Sequence, residues 1–355
     1  MGVSTKKTDI LSLDREALRA WFLEQGEKKF RADQVYDWLW KKGLRDFGEM
    51  SNLSKALREK LENSFFLSKI GIDNVQVSRD GTRKYAFRLA GGQQVEGVLI
   101  PTASRVTACI SSQAGCSLDC AFCATGLLDL KHNLHHYEIY DQIFYLYKEA
   151  ELHYGRPLSN IVYMGMGEPL LNYRNVMRSI DFVCSEEGLG MSPRRITVST
   201  SGIAKMIKRL GDDGAKFEFA LSLHSAIDEV RSRIMPINDS NNLDTLKEAL
   251  IYFYEKTGTR VTYEYCVFEG VNDSIEAARA LADFSRVIPS KINLIEYNPF
   301  PESGFVNASP ERMGRFIKYL EDQRLIVNVR RSRGRDIDGG CGQLALRHSE
   351  KMAGN

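Results

Sequence analysis

The chain has 355 residues, 43% hydrophobic and 26% charged, with a formal net charge of +2. That length buries a sizeable core in one to three domains, and the near-neutral balance excludes a protein that holds polyanions by bulk charge alone. Seven cysteines are too sparse for a disulfide scaffold and fit a reducing compartment. Met1 to Lys7 carry no apolar signal region and no apolar run could span a bilayer, so a cytoplasmic protein with no membrane partner is expected.

Residues 12–67 predict a small helical module, bounded here at 1–72. Leu18, Trp21 and Phe22 recur at helical spacing between Leu13 and Gln25, and Gly26 is a stop. Val35, Trp38 and Leu39 repeat the pattern from Arg31 to Lys42, and Ser54 to Leu67 is a third helix. Lys28, Lys29, Arg31, Lys41, Lys42, Arg45, Lys55, Arg58 and Lys60 decorate the module, which also holds the chain's three tryptophans, Trp21, Trp38 and Trp40. A solvated charged face fits this composition, and so does an RNA-docking face that sets Lys and Arg against phosphate.

The period then changes. Asn74 to Arg79, Asp80-Gly81 and Thr82 to Leu89 predict a hairpin, and Gly91-Gly92 leads into Val95 to Ile100. This segment, 73–104, reads as a hairpin linker carrying Glu96 inside an apolar run. On pattern alone Glu96 faces solvent. If buried, its carboxyl would have a raised pKa and could take a proton.

From Arg105 strands and helices alternate. Strand-like runs lie at 105–112, 160–165, 194–200, 217–224, 260–267 and 291–297. Helix-like runs lie around 137–154, 173–188, 203–211, 242–257 and 274–287, and helix 309–323 and strand 325–331 close the pattern. Alternation of this kind implies parallel strands with crossover helices. The fold class expected is α/β: an open, partial (β/α)6 barrel at 105–324 with a C-terminal extension at 325–355. Its chemistry sits at the C-terminal ends of the strands.

Cys116, Cys120 and Cys123 follow the first of these strands at C-x3-C-x2-C spacing. Three thiolates suit an iron–sulfur cluster with one iron free of protein ligands. The alternatives are a zinc site completed by His132, His135 or His136, or three ordinary buried cysteines. The spacing resembles the signature of the radical S-adenosylmethionine enzymes, whose unligated iron chelates the cofactor's amino and carboxylate groups. Later strand ends offer further polar groups: Met164 to Pro169 with Glu168, Ser199-Thr200-Ser201-Gly202, Ser222-Leu223-His224-Ser225, and Glu296 to Pro301. The glycines at 165 and 167 would let a ligand approach the backbone, and Glu168 could accept from an ammonium or a ribose.

The C-terminal region sets Arg330, Arg331, Arg333 and Arg335 before Gly339-Gly340-Cys341-Gly342-Gln343-Leu344. Glycines around Cys341 permit a mobile or tightly turned backbone. An accessible thiol near arginines can have a lowered pKa and act as a nucleophile. The arginines suit RNA phosphate or base stacking.

With these residues in place the whole chain, roughly 10–348, resembles the RlmN family of dual-specificity rRNA/tRNA adenine-C2 methyltransferases. Its marks are Cys109 to Cys116, the cysteine triad, Gly165 to Asn172, Ser222-Leu223-His224 and Cys341 to Leu344. The resemblance implies that Cys116, Cys120 and Cys123 bind one [4Fe–4S] cluster. It implies that Gly167, Glu168, Ser199, Ser222, Leu223, His224 and Asn298 contact S-adenosylmethionine, with Ser201 as the alternative to Ser199. Cys341 would become S-methylcysteine, Cys109 would resolve a protein–RNA crosslink by forming a disulfide with Cys341, and Glu96 would be the proton acceptor. Two molecules of S-adenosylmethionine would serve each turnover. Cys184 and Cys266 match no functional position and are taken as small buried residues.

The implied partners are 23S rRNA, tRNA and a low-potential donor such as flavodoxin, with the chain a monomer. Two other readings stay open: methylation of adenine C8, as in the antibiotic-resistance branch, and a non-enzymatic RNA-binding factor whose cysteines hold zinc. The implied mechanism also makes a geometric demand, since Cys109 and Cys341 lie at opposite ends of the barrel sequence. The C-terminal segment must fold back over the barrel mouth.

Overall fold

The computed structural model describes residues 7–347. The leader reading at Met1–Lys6 and the last residues of the 325–355 segment lie outside them. Three helices lead the chain: α1 (Arg15–Glu24), α2 (Lys29–Tyr36) and α3 (Lys55–Ser64). Asp14 and Ser54 cap α1 and α3 by accepting from Ala17 and Leu57 N–H groups.

Ten strands then form one sheet: β1 (Gly71–Val77), β2 (Arg83–Arg88), β3 (Gln94–Pro101), β4 (Val106–Cys109), β5 (Asn160–Tyr163), β6 (Ile196–Thr200), β7 (Glu218–Ser222), β8 (Val261–Cys266), β9 (Ser290–Ile295) and β10 (Val327–Arg330). They lie side by side in chain order. β1 to β4 pair antiparallel and β4 to β10 pair parallel. The edge strands β1 and β10 do not pair among the described residues, so the barrel stays open.

Seven parallel strands need six crossovers. These carry α4 (His136–Tyr154), α5 (Tyr173–Cys184), α6 (Ala204–Asp212), a short α7 (Asp228–Ile234) followed by α8 (Leu243–Thr257), α9 (Ile275–Ser285) and α10 (Pro310–Asp322). This is the open partial barrel that the strand–helix alternation implies. Burial on both faces explains why β8 reads as a run without alternation: all six of its residues are buried. The helix α7 is a surprise. Seven residues without a capping side chain give too little periodicity to be read from sequence. Among the described residues no helix is long and apolar enough to cross a membrane.

Two features differ from the sequence reading. Strands β1 to β3, read as a hairpin linker, extend the barrel sheet itself. The tryptophans of the helical module are spent on packing. Trp40 is fully buried, stacks on Phe182 at a 3.9 Å centroid distance, and accepts through its carbonyl from the Tyr140 hydroxyl at 2.8 Å. Arg45, counted among the phosphate-facing cations, is instead held by Asp141 of α4, with Nε 3.1 Å from both carboxylate oxygens. Arg15 reaches Glu187 at 2.9 Å. The module is therefore bolted to α4 and α5. Truncating Trp40→Ala costs about 3–5 kcal/mol, and a lowered, less cooperative thermal transition is the expected result. An unchanged melt would show that the module is not held by this contact.

Candidate active site

The cysteine loop is built from its own backbone. Cys116 donates to Leu128 O at 3.0 Å, Cys123 to Cys120 O at 3.0 Å and Gly126 to Cys123 O at 2.9 Å. Phe122 wedges it against the barrel, 4.7 Å from the His224 ring and 5.3 Å from Phe268. The Tyr297 hydroxyl donates to Phe122 O at 2.9 Å, and Ala121 N–H to Ile234 O at 3.0 Å. Burial pushes all three thiols up, Cys116 to about 11, and the charge of Cys123 adds to it at Cys116 and Cys120. Thiols so placed become thiolates against a cationic metal centre, which is the chemistry of a cluster site.

The zinc alternative fares worse. A single tetrahedral zinc holds its sulfurs at about 2.3 Å from one ion. Among the described residues the group of ligand atoms lying within 4.8 Å of one another is His132, His135 and Glu138, and it includes no cysteine. A cubane, which ligates each cysteine at a separate corner, spaces its thiolates more widely. His132 is taken by Glu138 at 2.7 Å, and the same carboxylate caps α4 by accepting from His135 N–H at 2.8 Å. His136 is buried beside the stacked Trp40–Phe182 pair, 5.7 Å and 5.6 Å from their ring centroids.

Burial, helped by the charge of Arg178, lowers the His136 ring to about 3. The unfolded ring titrates near about 6.5. As pH falls the unfolded chain binds this proton first, so the stability His136 contributes is full above that value. It is lost as pH drops toward the folded one, at up to about 1.4 kcal/mol per pH unit. His136→Phe keeps the stacking and removes this share of the acid slope. Urea unfolding at pH 7 and pH 5 measures it, and an unchanged slope would contradict the assignment.

The strand ends converge as the barrel requires. Glu168 is buried, accepting from Leu170 N–H at 3.0 Å and Ser201 N–H at 2.7 Å, and burial raises its carboxyl against those bonds. Ser199 Oγ lies 3.2 Å from Ser222 Oγ. Thus Ser199 faces its neighbouring strand's serine, while Ser201 engages Glu168 through its backbone. Leu223 is fully buried. His224 adopts a left-handed φ of +54°, and its Nδ1 accepts from Cys266 N–H at 3.0 Å. A non-glycine residue in that region is strained and is held there by its surroundings. Asn298 gives its carbonyl to Gln343 at 2.9 Å, and its buried Nδ2 has no protein partner. A buried amide donor left unpaired is costly unless a ligand takes it, which fits a polar cofactor there.

At Gly167 φ is +91°, and a Cβ would lie 2.4 Å from Gln113 Cβ, so the chain itself demands a glycine there, a second reason beside the ligand approach read from the sequence.

The C-terminal segment does fold back over the barrel mouth. Cys341 Sγ lies 3.4 Å from Thr125 Oγ1, inside the cysteine loop. Gly342, at φ +81°, would drive a Cβ to 2.4 Å from the same Oγ1, so this turn is tight rather than mobile. Glu96 is buried, not solvent-facing, and accepts from Gly342 N–H and Ala345 N–H at 2.8 Å each. Register places Cys109 on the same face, opposite Val98 of β3. Burial pushes Cys109 up to about 11 against the pull of the Lys84 ammonium. The expectation that arginines lower Cys341 is overturned. Burial and the charges of Cys123, Glu96 and Cys109 push that thiol well up. The arginines turn elsewhere, Arg330 toward Glu264 at 3.6 Å, Arg335 to Glu296 and Arg333 toward Asp80 at 3.9 Å.

Sequence reasoning missed Lys84, Thr125, Arg231 and Glu264. Arg231 on α7 is fully buried and donates to Ser201 O at 2.6 Å, Leu223 O at 3.1 Å and Asn238 Oδ1 at 2.8 Å. Glu264 is buried on β8, and burial raises its carboxyl.

Comparison with known proteins agrees with this geometry. Residues 8–67 match the model of the ribosomal RNA large subunit methyltransferase N-terminal domain, and 110–282 match the radical SAM superfamily. A probable dual-specificity RNA methyltransferase RlmN from Cytophaga hutchinsonii is 56% identical, covering 96% of this chain and 94% of the relative. One from Bacillus thuringiensis is 41% identical, covering 99% and 96%. The crystal structure of a radical SAM methyltransferase from Sphaerobacter thermophilus superposes with a TM-score of 0.89 at 37% identity, covering 95% of this chain and 98% of that one. Full-length identity, both family models and the shared fold lead to one conclusion: the chain belongs to the RlmN family of radical S-adenosylmethionine RNA methyltransferases.

Proposed function

We propose that this chain methylates C2 of a specific adenosine in 23S rRNA, and of an adenosine in the tRNA anticodon loop, with Cys341 as the methyl carrier. Family membership supports the coarser statement, an RNA-methylating radical S-adenosylmethionine enzyme. One arrangement carries the finer one. The Cys341 turn lies against Thr125 of the cysteine loop and against Glu96, on the sheet face that also bears Cys109.

Cys116, Cys120 and Cys123 hold the one [4Fe–4S] cluster, and Gly167, Glu168, Ser199, Ser222, Leu223, His224 and Asn298 line the S-adenosylmethionine site. When bound, the reduced cluster and its cofactor supply a carbon-centred radical. Everything else falls to the chain. Cys341 first accepts a methyl group on sulfur, consuming one S-adenosylmethionine, and a second serves the radical step. Carbon carriage is needed because adenine C2 is electron-poor and offers no lone pair for ordinary methyl transfer. The Thr125 hydroxyl orients the Cys341 sulfur. Glu96 accepts the C2 proton. Cys109 attacks the Cys341 sulfur of the base adduct: the S–S bond forms as the S–CH2 bond to the base breaks, and the released carbon takes a proton to become the methyl group. Phe122, Phe268 and Tyr297 pack beneath the cysteine loop and keep water from the reacting centre. The adenine must leave its stack to reach this depth.

The electron donor in this reading is a flavodoxin-type protein and the chain acts as a monomer. The test is an anaerobic reaction of iron-loaded enzyme with protein-free large-subunit rRNA, reductant and methyl-labelled S-adenosylmethionine, read by nucleoside mass spectrometry. 2-Methyladenosine is expected. 8-Methyladenosine would overturn the regiochemistry, and absence of methylated RNA from either rRNA or tRNA would overturn the reading.

A further inference from the structure

Lys84 is fully buried, and nothing in its sequence context marks it. It sits in an ordinary strand, Arg83-Lys84-Tyr85-Ala86-Phe87-Arg88. Register explains where it points. Lys84 of β2 lies opposite Val98 of β3, which lies opposite Cys109 of β4. Glu96 precedes Val98 by two residues and therefore shares its face. Lys84, Glu96 and Cys109 thus share one face of the sheet.

The ammonium and the carboxylate pair at 2.8 Å, with side chains 0% and 3% exposed. Both then reach the same short stretch of backbone. Lys84 Nζ donates to Gly340 O at 2.7 Å and to Asp338 O. Glu96 accepts from Gly342 N–H and Ala345 N–H at 2.8 Å each. One partner of the ion pair grips carbonyls just before Cys341, and the other grips N–H groups just after it. Asp338 is fixed in turn by Gln76 of β1, 2.9 Å from its Oδ2.

We propose that Lys84 is a positioning residue for the methyl carrier: with Glu96 it forms a buried latch that holds the Cys341 turn in one register over the barrel mouth. This rests on the reading of Cys341 as the methyl carrier. Lys84 touches neither base nor cofactor and acts through the loop. Stability alone does not account for the pair, because buried ion pairs replaced by well-packed hydrophobes are often neutral or stabilising. Geometry does account for it. A turn flanked by glycines has little side-chain packing at its tip, and hydrogen bonds from a rigid sheet add to what Ala345 packing and the Gln343 to Asn298 bond supply farther along. Four bonds from two side chains on neighbouring strands fix both ends of the turn at once. The latch also makes Glu96 serve twice, as anchor of the loop and as proton acceptor, so loop position and base position are coupled.

The experiment uses holoenzyme and three variants. Lys84→Met leaves the Glu96 charge buried without its cation, a cost to the fold of its own, so Lys84→Met/Glu96→Leu replaces the whole pair by hydrophobes. Glu96→Gln neutralises the other partner. Hydrogen–deuterium exchange of the peptide spanning 338–346 reads the latch directly, with the α8 peptide as the internal reference and iron content as the check on site assembly. Exchange at 338–346 is expected to rise about tenfold or more in each variant, with α8 unchanged. In Lys84→Met, kcat for RNA methylation falls about 100-fold with KM for RNA unchanged, as a misplaced reacting group requires. Unchanged exchange in the double variant would overturn the latch. Raised exchange in Lys84→Met with normal kcat would overturn its positioning role. A protected loop in wild-type enzyme that never gains a methyl group on Cys341, seen by intact-protein mass, would instead overturn the methyl-carrier reading and leave the latch standing.

Discussion

Cys341→Ala yields no methylated RNA and no protein–RNA adduct, while iron content and unfolding midpoint stay near those of the unsubstituted protein. The structural loss is small. Sγ makes one weak hydrogen bond, 3.4 Å to Thr125 Oγ1, beside its packing on the core, and the backbone of the turn is held by Lys84 and Glu96 through its neighbours. Such a change costs within about 1 kcal/mol. The chemical loss is total in the proposed reaction, because no other thiol can carry the methyl group to carbon, so activity falls by at least about 10³-fold. Cys109→Ala separates the roles. Its thiol is proposed to act only after the base is attached, so covalent adduct accumulates instead of disappearing. Radiolabel transfer and a denaturing gel read both. Turnover at the normal rate by Cys341→Ala would falsify the carrier role, and adduct-free turnover by Cys109→Ala would remove Cys109 from the resolution step.

How far could these residues be found without coordinates? The strand–helix alternation was legible because hydrophobic period is a local property. It placed the crossover helices α4, α5, α6, α8, α9 and α10 within a few residues. The triad was legible because three cysteines in eight residues have few other uses. Glu96 was only half legible. Its place in an apolar run was visible, but its burial depends on β1 to β3 joining the barrel sheet, a long-range fact that no local pattern records. Lys84 was invisible for the same reason, since lysine in an alternating strand is normally the solvated residue. The Cys341 thiol was misjudged because nearness in sequence to four arginines was read as nearness in space. Three of those side chains, Arg330, Arg333 and Arg335, pair with Glu264, Asp80 and Glu296, while the thiol turns inward toward other thiols and a carboxylate.

Arg231 carries the second large effect. It holds together, from within the core, two strand ends of the proposed cofactor site. Its guanidinium bridges Ser201 O after β6 and Leu223 O after β7. No carboxylate lies within salt-bridge distance of it among the described residues, and burial lowers it to about 10, so it stays charged at neutral pH. Replacement Arg231→Met strands the carbonyls of Ser201 and Leu223 and the amide oxygen of Asn238. Each buried acceptor left unpaired costs about 1–3 kcal/mol, so the expected loss is about 3 kcal/mol or more, with partial relaxation. Lysine is no substitute, because a single ammonium cannot span acceptors that a planar fork reaches together. Affinity for S-adenosylmethionine should fall about tenfold as Ser201 and the Ser222–His224 turn lose their common tie. Urea unfolding gives the first quantity and equilibrium dialysis of labelled S-adenosylmethionine the second. Lost stability with unchanged affinity would show that the strand ends keep their positions without the bridge. Unchanged stability would mean that water replaces the guanidinium, and the cofactor side of the barrel would then owe its shape to the Glu168–Ser201 and Ser199–Ser222 contacts alone.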